Sequence, residues 1–527
     1  MSAEHVEPRQ GAYADSVTLM AVSARAQSVA GVQVALVAMG TELNLSLLAE
    51  LGFAAPSGVG PNDQIVAVRA DDDDSLAAAL VVVDQALTDG DEAGDVGSGA
   101  DAGAAADRAG SAGQQPRTTS RAVRRAGRGI ALISVPGKYA FAEALDALDA
   151  GCDVMIFSDN VPVEHEIALK EIAAGRGLLV MGPDCGTAIV GGVGLGFSHS
   201  VPQGPVGIVA ASGTGAQQVV CLLDAAGVGV SAVLGVGGRD LSAAVGGRSA
   251  RAALAALDAD PATELILVIS KPPGAAVGGE LRSRATALAT AVQFALIGDG
   301  EPDLTAATGA VLRATGHAVP GWPRWIPARA PMPRRDGNCG LRGLFAGGTL
   351  CEEAAVIASN RLGAIYSNVP LRDEWRIDPL APSAAGPRID RAGAAGEPTP
   401  APRHVLIDFG DDELTAGRPH PMIDQRLRLS RLAAEAADPA TAVVMLDVVL
   451  GHGAHPDPAS ELVPAIGDAM ASRAGRDSVA VVVSLIGTSS DPQGRDDQAA
   501  ALVAAGAHVF ASNAEAARFA CDLIEGR

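Results

Sequence analysis

Three polar side chains and two small-residue turns are the parts of this sequence able to do chemistry on an anion. Lys271, in Ser270-Lys271-Pro272-Pro273, and Arg239, in Gly237-Gly238-Arg239-Asp240, each follow an apolar run and can neutralise a phosphoryl or carboxylate group; the arginine can do so through two parallel N–H donors. His420, in Gly417-Arg418-Pro419-His420-Pro421, is a candidate for acid/base work or anion contact, against the alternative that it only holds its loop in shape. Ser212-Gly213-Thr214-Gly215 and Gly347-Gly348-Thr349 each stand between an apolar run and helical spacing. Each therefore aims backbone N–H groups, hydroxyls and the positive end of a helix at one point, which is a phosphate site. The competing reading of Ser212 is a plain helix cap. The competing reading of Arg239 and Lys271 is a salt bridge, with Asp240 as the partner of Arg239.

The elements that must position these groups follow from the hydrophobic pattern. Val206–Ala211 reads as a buried parallel strand, Ala216–Ala226 as a helix, and Gly227 as its stop. The apolar runs 177–181 and 230–234 also end in Gly-rich loops, Gly182-Pro183-Asp184-Cys185-Gly186 and Gly235-Val236-Gly237-Gly238. In an open parallel sheet such loops share the edge at which ligands bind. Further strands at Leu265 and Val292 complete a flavodoxin-like unit over 204–300, and the pattern recurs over 339–527, with an insert at 376–403. Runs at 130–135, 154–157 and 178–181 predict a Rossmann-like domain over 129–203. Residues 1–89 read as a small segment of alternating strands and helices, with Thr41 capping a helix. Residues 90–128 read as a disordered insert on their Gly/Ala/Asp/Ser-rich part, with the Arg cluster that closes it read as a solvated helical face against the alternative of a phosphate-binding strip, and 301–338 as a linker pinned by Trp322 and Trp325. The fold class expected is α/β, a Rossmann-like domain followed by two flavodoxin-like parallel-sheet domains.

Composition narrows the partners. The 527 residues are 48% hydrophobic and 3% aromatic, so the cores must be built of Ala, Val and Leu. A formal charge of −22 argues against nucleic acid or an anionic membrane, both of which need a basic face. No apolar run approaches the ~18 residues of a membrane span, and the N-terminus lacks the order of a signal peptide; the expected location is cytoplasmic. The six cysteines are scattered, which predicts reduced thiols and no structural zinc. Cys185 has no histidine beside it in sequence to make it a nucleophile, and no metal set is implied by His452, His455 and Asp457.

Several stretches together resemble a known family. They are Phe157-Ser158-Asp159-Asn160-Val161, Met181-Gly182-Pro183-Asp184-Cys185-Gly186-Thr187, Ala211-Ser212-Gly213-Thr214-Gly215, Gly237-Gly238-Arg239-Asp240-Leu241 and Ser270-Lys271-Pro272-Pro273. Gly347-Gly348-Thr349-Leu350, Gly417-Arg418-Pro419-His420-Pro421-Met422-Ile423-Asp424 and Asp447-Val448-Val449-Leu450-Gly451 join them. The set is similar to the α subunit of succinyl-CoA synthetase and, more narrowly, to the FdrA-type branch of that acyl-CoA synthetase superfamily. The resemblance implies an α-like half fused to a domain like the C-terminal one of the β subunit. It also implies CoA as cofactor, with Val135, Pro136, Gly137 and Lys138 near the nucleotide's phosphates and Asp184 and Cys185 in a nucleotide-contacting loop. A subunit working with partner subunits on a small acyl or carbamoyl phosphate, or on a CoA ester, is expected. The phosphohistidine loop and ATP-grasp domain of the full synthetase are not recognisable, nor is the Gly-rich dinucleotide turn. Carbamoyl transfer, as in the oxamate carbamoyltransferase role attached to FdrA-like proteins, needs no kinase step. The alternative is a non-catalytic CoA- or anion-binding scaffold subunit.

Overall fold

The computed structural model of the chain describes residues 3–12, 14, 16–54, 56, 58–60, 63–92, 116, 118–127, 129–328, 339–380, 402–415, 418–472 and 478–526. Most of the insert placed at 90–128, most of that at 376–403, part of the linker at 301–338, and Gly417 lie outside them. The chain divides into two compact units, one of residues 1–135, 145–152 and 417–419, the other of 136–144, 153–416 and 420–527.

The first unit carries β1 (Ala3–Arg9), α1 (Ser16–Gln27), β2 (Val32–Met39), α2 (Glu42–Glu50), β3 (Gln64–Ala70), α3 (Asp73–Glu92), α4 (Thr119–Ala126) and β4 (Ile130–Ile133). Its three-stranded sheet has the order β1-β3-β2 and is antiparallel throughout, with Ala3 opposite Ala70 and Met39 opposite Gln64. On one face Val37, Val66 and Val68 pack with Leu19, Val22 and Val83 of α1 and α3; on the other, Ile65 and Ala67 pack with Leu48 and Phe53. The alternation read from sequence did not foresee β1, whose polar AEHVEPR carries Pro8 and suits an edge position. Thr41 does cap α2, its side chain accepting from Asn44 N at 3.3 Å. The disorder read at the start of 90–128 gives way to helix as far as Glu92, and the Arg-rich residues read as a helical face do form a helix. Thr118 caps that helix, α4, by accepting from Arg121 N at 3.2 Å.

After α5 (Gly137–Asp149), the second unit opens with β5 (Asp153–Ile156), α6 (Val163–Arg176) and β6 (Val180–Met181), the two strands pairing in parallel. Next come β7 (Thr187–Val190), β8 (Val193–Gly196), β9 (Gln203–Ala211), α7 (Gly213–Ala225), β10 (Val230–Gly235), α8 (Arg248–Asp258), β11 (Leu265–Ser270), α9 (Ala275–Ala285) and β12 (Ala291–Leu296). Their sheet has the order β12-β11-β9-β10-β7-β8. β9 to β12 are parallel, as the apolar runs predict, and the hairpin β7-β8 adds an antiparallel edge through Ile189 and Val233. The first sheet thus begins inside the stretch read as the end of the Rossmann-like domain.

The stretch read as a linker contains α10 (Leu304–Ala314), followed by β13 (Arg324–Trp325). Asp303 caps α10 by accepting from Ala306 N at 2.8 Å, and Leu304, Ala307, Val311 and Leu312 bury one helical face. That spacing corrects the reading as linker, which had rested on the Pro-, Trp- and Arg-rich end of the segment. β13 is an antiparallel edge on the second sheet, with Trp322 buried and the Arg495 guanidinium 5.6 Å from the Trp325 ring.

The second sheet is built from β14 (Gly340–Phe345), α11 (Gly348–Leu362), β15 (Val405–Asp408), α12 (Asp412–Thr415), α13 (Arg426–Ala437), β16 (Thr441–Val449), α14 (Pro458–Ala471), β17 (Ala480–Ile486), α15 (Arg495–Ala504), β18 (His508–Phe510) and α16 (Asn513–Glu525). Its order is β13-β18-β17-β16-β14-β15, parallel apart from β13. Strands such as AVVVSLI of β17 are buried along their whole length because helices cover both faces.

Candidate functional site

The two small-residue turns meet. Ser212 is the N-cap of α7, and its Oγ accepts from Gly215 N at 3.0 Å while donating to Thr349 Oγ1 of α11 at 2.7 Å. The start of each helix leaves no room for a side chain at its glycines. A Cβ on Gly347 would stand 2.8 Å from Thr214 Cγ2, and one on Gly215 would stand 2.4 Å from Ser212 Oγ. Two helix N-termini, each equivalent to roughly half a positive charge, are thereby brought together. The second turn is already compensated from within, because Ala346 N and Gly347 N donate to the Asp447 carboxylate at 2.7 and 2.8 Å. Arg428 lies 3.3 Å from the same carboxylate. The sequence reading of Gly347 as an open phosphate donor is corrected here: its N–H is taken by a buried aspartate. Ser212 likewise fulfils the cap reading, and it locks one repeat to the other.

Lys271 directly follows β11, beside the start of α11. Its Nζ is 3.6 Å from Glu352 Oε2. A Cβ on Gly348 would fall 2.4 Å from Asp408 Oδ2 and 3.5 Å from the same Nζ. Loss of water works against the lysine's charge, but Glu352 and Asp408 outweigh it and raise its pKa. Burial pushes the Asp408 carboxyl up to about 7, against the pull of Lys271 and of Gly410 N, which donates to it at 2.9 Å. An adjoining cleft of about 380 Å³ is lined by Glu352, Asn368, Arg376, Asp411 and Glu413 among others.

Asp184 holds a left-handed backbone at φ 55°, with its N–H on Ser158 O at 3.0 Å. It keeps solvent contact yet is ringed by protein. Its side chain is exposed, and partial enclosure by protein, then Asp412 and Asp159 nearby, raise its pKa against Arg239 and Lys271. The Gly-rich loops do converge, since a Cβ on Gly237 would lie 2.3 Å from Pro183 O. Cys185 is packed behind them, its Sγ donating to Gly235 O at 3.3 Å, and burial pushes its thiol up to about 12, which removes it from nucleophilic chemistry and from ligand contact. Arg239 is not paired with Asp240. It donates to Val161 O at 2.8 Å and meets Glu166 at 3.0 Å, while Asp240 is buried against Lys170 at 2.8 Å.

His420 stays neutral: burial, then the charge of Arg428, lowers its pKa to about 4. Its Nδ1 accepts from Met422 N at 3.2 Å, so the ring proton sits on Nε2. That nitrogen would be 3.0 Å from a Cβ on Gly410, beside Asp408 Oδ1 at 3.2 Å, and the ring lies 5.6 Å from that of Phe197. His420 is therefore a hydrogen-bond donor here and a poor base at neutral pH. Val135 is half-buried and Lys138 exposed, its Nζ 5.0 Å from the Tyr139 ring. Gly137 packs so tightly that a Cβ would lie 2.2 Å from Asp159 O.

The structure thus gathers Ser212, Gly213, Thr214 and Gly215 with Gly347, Gly348 and Thr349, with Lys271 at the rim. It adds Asp408, Glu352, Asp412 and Asp447, which the sequence reading missed. Asp408 was findable, since it is the polar residue that ends an apolar strand; Asp447 opens one of the stretches that carry the family resemblance, but inside the run VVMLDVVL nothing assigned it a role at the site.

Residues 344–523 match the family described as CoA-ligase, and residues 1–104 match the family described as AllF, heavy metal-associated domain. Cysteine first occurs at position 152, and among the described residues no group of three or more His, Cys, Asp or Glu is placed to hold a metal ion. Among the described residues no helix is long and apolar enough to cross a membrane. The uncharacterized protein YahF of Escherichia coli strain K12 is 34% identical over 534 residues, covering 97% of each chain. The α subunit of ADP-forming succinate–CoA ligase from Aquifex aeolicus is 31% identical over 163 residues, 30% of this chain and 52% of its own, so this chain spans about half of that subunit. A solved dinucleotide-forming acetyl-coenzyme A synthetase from Ca. Korarchaeum cryptofilum covers 75% of this chain and 84% of its own at 14% identity, with a TM-score of 0.27.

Proposed function

Since the chain belongs to the family of the uncharacterized YahF protein and carries a CoA-ligase domain at 344–523, we propose that it is an FdrA-type subunit transferring an acyl or carbamoyl group through a phosphate-bearing species. The observation that carries this reading is the 2.7 Å contact between Ser212 and Thr349, which sets two helix starts head to head with Lys271 at their edge. A phosphoryl group entering there meets the start of α7 and a lysine, and these stabilise the charge that grows on it as the acyl–oxygen bond breaks. Thr214 and Lys271 hold the phosphoryl oxygens in this account, and His420 offers Nε2–H to the carbonyl oxygen. Asp408, with a pKa of about 7, moves a proton near neutral pH.

CoA would lie at the Rossmann-like half. Pro136 and Lys138 are exposed there, so the lysine lies outside the core, where it can meet the phosphates of CoA. Carbamoyl phosphate or a CoA ester would be the small-molecule partner, with the acceptor step shared with partner subunits; oxamate is one acceptor to test.

A second reading, a non-catalytic anion- or CoA-binding scaffold, is favoured by the self-satisfied N–H groups of the second turn and by the acidic ring of Asp159, Asp184 and Asp412. Transfer from carbamoyl phosphate or acetyl phosphate to amide acceptors and CoA distinguishes the two. On the transferase reading Lys271→Met lowers turnover about a hundredfold with the fold intact. Absence of turnover in the parent chain with its partners present, alongside retained ligand binding, supports the scaffold instead.

A further inference from the structure

A second cavity, of about 370 Å³, opens at the β7-β8 hairpin, with Gly192, Gly194, His199, Ser200 and His452 on its wall. It is built where the two repeats are stitched together. Ser198 and His452 exchange backbone bonds, with His452 N on Ser198 O at 2.7 Å and Ser198 N on His452 O at 3.3 Å. Inside it, His199 Nδ1 lies 2.7 Å from Asp491 Oδ2, with both side chains essentially sealed at 1% and 0% exposure. Asp491 also accepts from Ser200 N at 2.8 Å and from Thr488 N at 2.8 Å. Burial works to raise the Asp491 pKa, but the bond and charge of His199 and these backbone donors outweigh it and hold the carboxyl below its ordinary value.

An ionised carboxylate only accepts, so the proton between the two groups sits on His199 Nδ1, and Nε2 is the ring nitrogen left for a further bond. That Nε2 is buried and has no hydrogen-bond partner in the structure. A buried polar atom left unpaired opposes folding, and such groups call for an explanation. The cavity supplies one. Ser200 Oγ stands 3.1 Å from His452 Nε2, and both residues share the cavity wall with His199. His452 itself is solvent-exposed, which leaves a way in.

We propose that this cavity is a binding site for a small molecule that presents an N–H or O–H donor to His199 Nε2, with Ser200 and His452 holding its neighbouring polar atom. The Asp491–His199 pair then works as a proton acceptor: the ligand's N–H or O–H bond breaks, a new N–H forms on Nε2, the bonding electrons stay on the ligand atom as a lone pair, and the imidazolium is held by Asp491. A primary amide and a hydroxy acid share this chemistry. The inference stands on the dyad and its cavity and needs no turnover at the Ser212–Thr349 turns, so either reading can fail alone.

The test is NMR of the full chain with ring-¹⁵N-labelled histidine, the nine histidines being separable by His199→Gln and His452→Gln. Acetamide and glycolate are titrated separately. The proposal expects the Nδ1–H tautomer for His199 in the free protein, and movement of its Nε2 resonance with at least one probe. It expects the apparent affinity to fall about tenfold in Ser200→Ala, whose side chain is not part of the core. Response to acetamide alone assigns an amide ligand, and response to glycolate alone a hydroxy acid. An Nε2–H tautomer in the free protein, or a His199 resonance unmoved by saturating amounts of both probes, overturns it. Asp491→Asn is a second check: where it folds, the tautomer preference is lost.

Discussion

Asp408 shows how a single buried carboxyl couples the site to pH. Its folded-state value of about 7 lies above its ordinary 3.8, so the folded chain binds that proton more tightly than the unfolded chain does. The stability this contributes is complete below the unfolded value and is lost as pH rises towards the folded one. The wild type is therefore expected to lose on the order of 2 kcal/mol from this residue between pH 5 and pH 8. Asp408→Asn, which keeps an acceptor for Gly410 N, removes that loss; urea unfolding of both proteins at the two pH values reads it. A loss of the same size in both proteins would move the titration elsewhere. At the same scale, Cys185 lies buried with its thiol pushed up to about 12, and all six cysteines are buried. The folded chain should leave a disulfide reagent such as Ellman's unreacted at pH 8 and release six thiols once denatured.

At the scale of elements, the two flavodoxin-like repeats are held by a polar seam as well as by apolar packing. Gln218 of α7 donates to Ala511 O at 3.0 Å and accepts from Asn513 N at 2.9 Å, while Asn513 donates to Glu353 of α11 at 2.7 Å. Gln218, Asn513 and Glu353 are all sealed from solvent. Gln218→Ala leaves a buried carbonyl and a buried N–H without partners and should cost about 1–3 kcal/mol, seen as a lower denaturation midpoint; a change within a few tenths would mean that water replaces the amide. This seam explains what the sequence did and did not reveal. Val206–Ala211 and the strands of the second repeat are legible because a strand covered on both faces must be a short unbroken apolar run. α7 starts at Gly213 and not at Ala216, because glycines that look like turn are the first helical turn when a partner helix crowds them. The β7-β8 hairpin was hidden because its strands are four residues each and β8 is half glycine. α10 was hidden by the Pro- and Trp-rich residues that follow it, although Leu304, Ala307 and Val311 carry the helical spacing.

Across the whole molecule, the pieces named from sequence by residue type stayed where expected, while their pairings did not. Lys271 and the two turns are brought together, since both lie at strand ends and parallel sheets gather those at one edge. Arg239 chose Glu166, Asp240 chose Lys170, and Asp447 took the N–H groups assigned to phosphate, because charge pairing depends on tertiary neighbours that spacing along the chain does not encode. What remains open to a ligand is the first turn, the lysine and a ring of carboxyls. The acidity of that ring sets a demand on any anion bound there: Lys271 must carry a large share of the attraction. The most direct measurement is calorimetry of the full chain with an inert phosphonate mimic of carbamoyl phosphate, for wild type and for Lys271→Met of intact fold. The account predicts binding by the wild type that weakens at least about tenfold in the variant. Equal affinity in the two proteins, or no binding by either while CoA still binds, would contradict a phosphoryl site where the two helices meet.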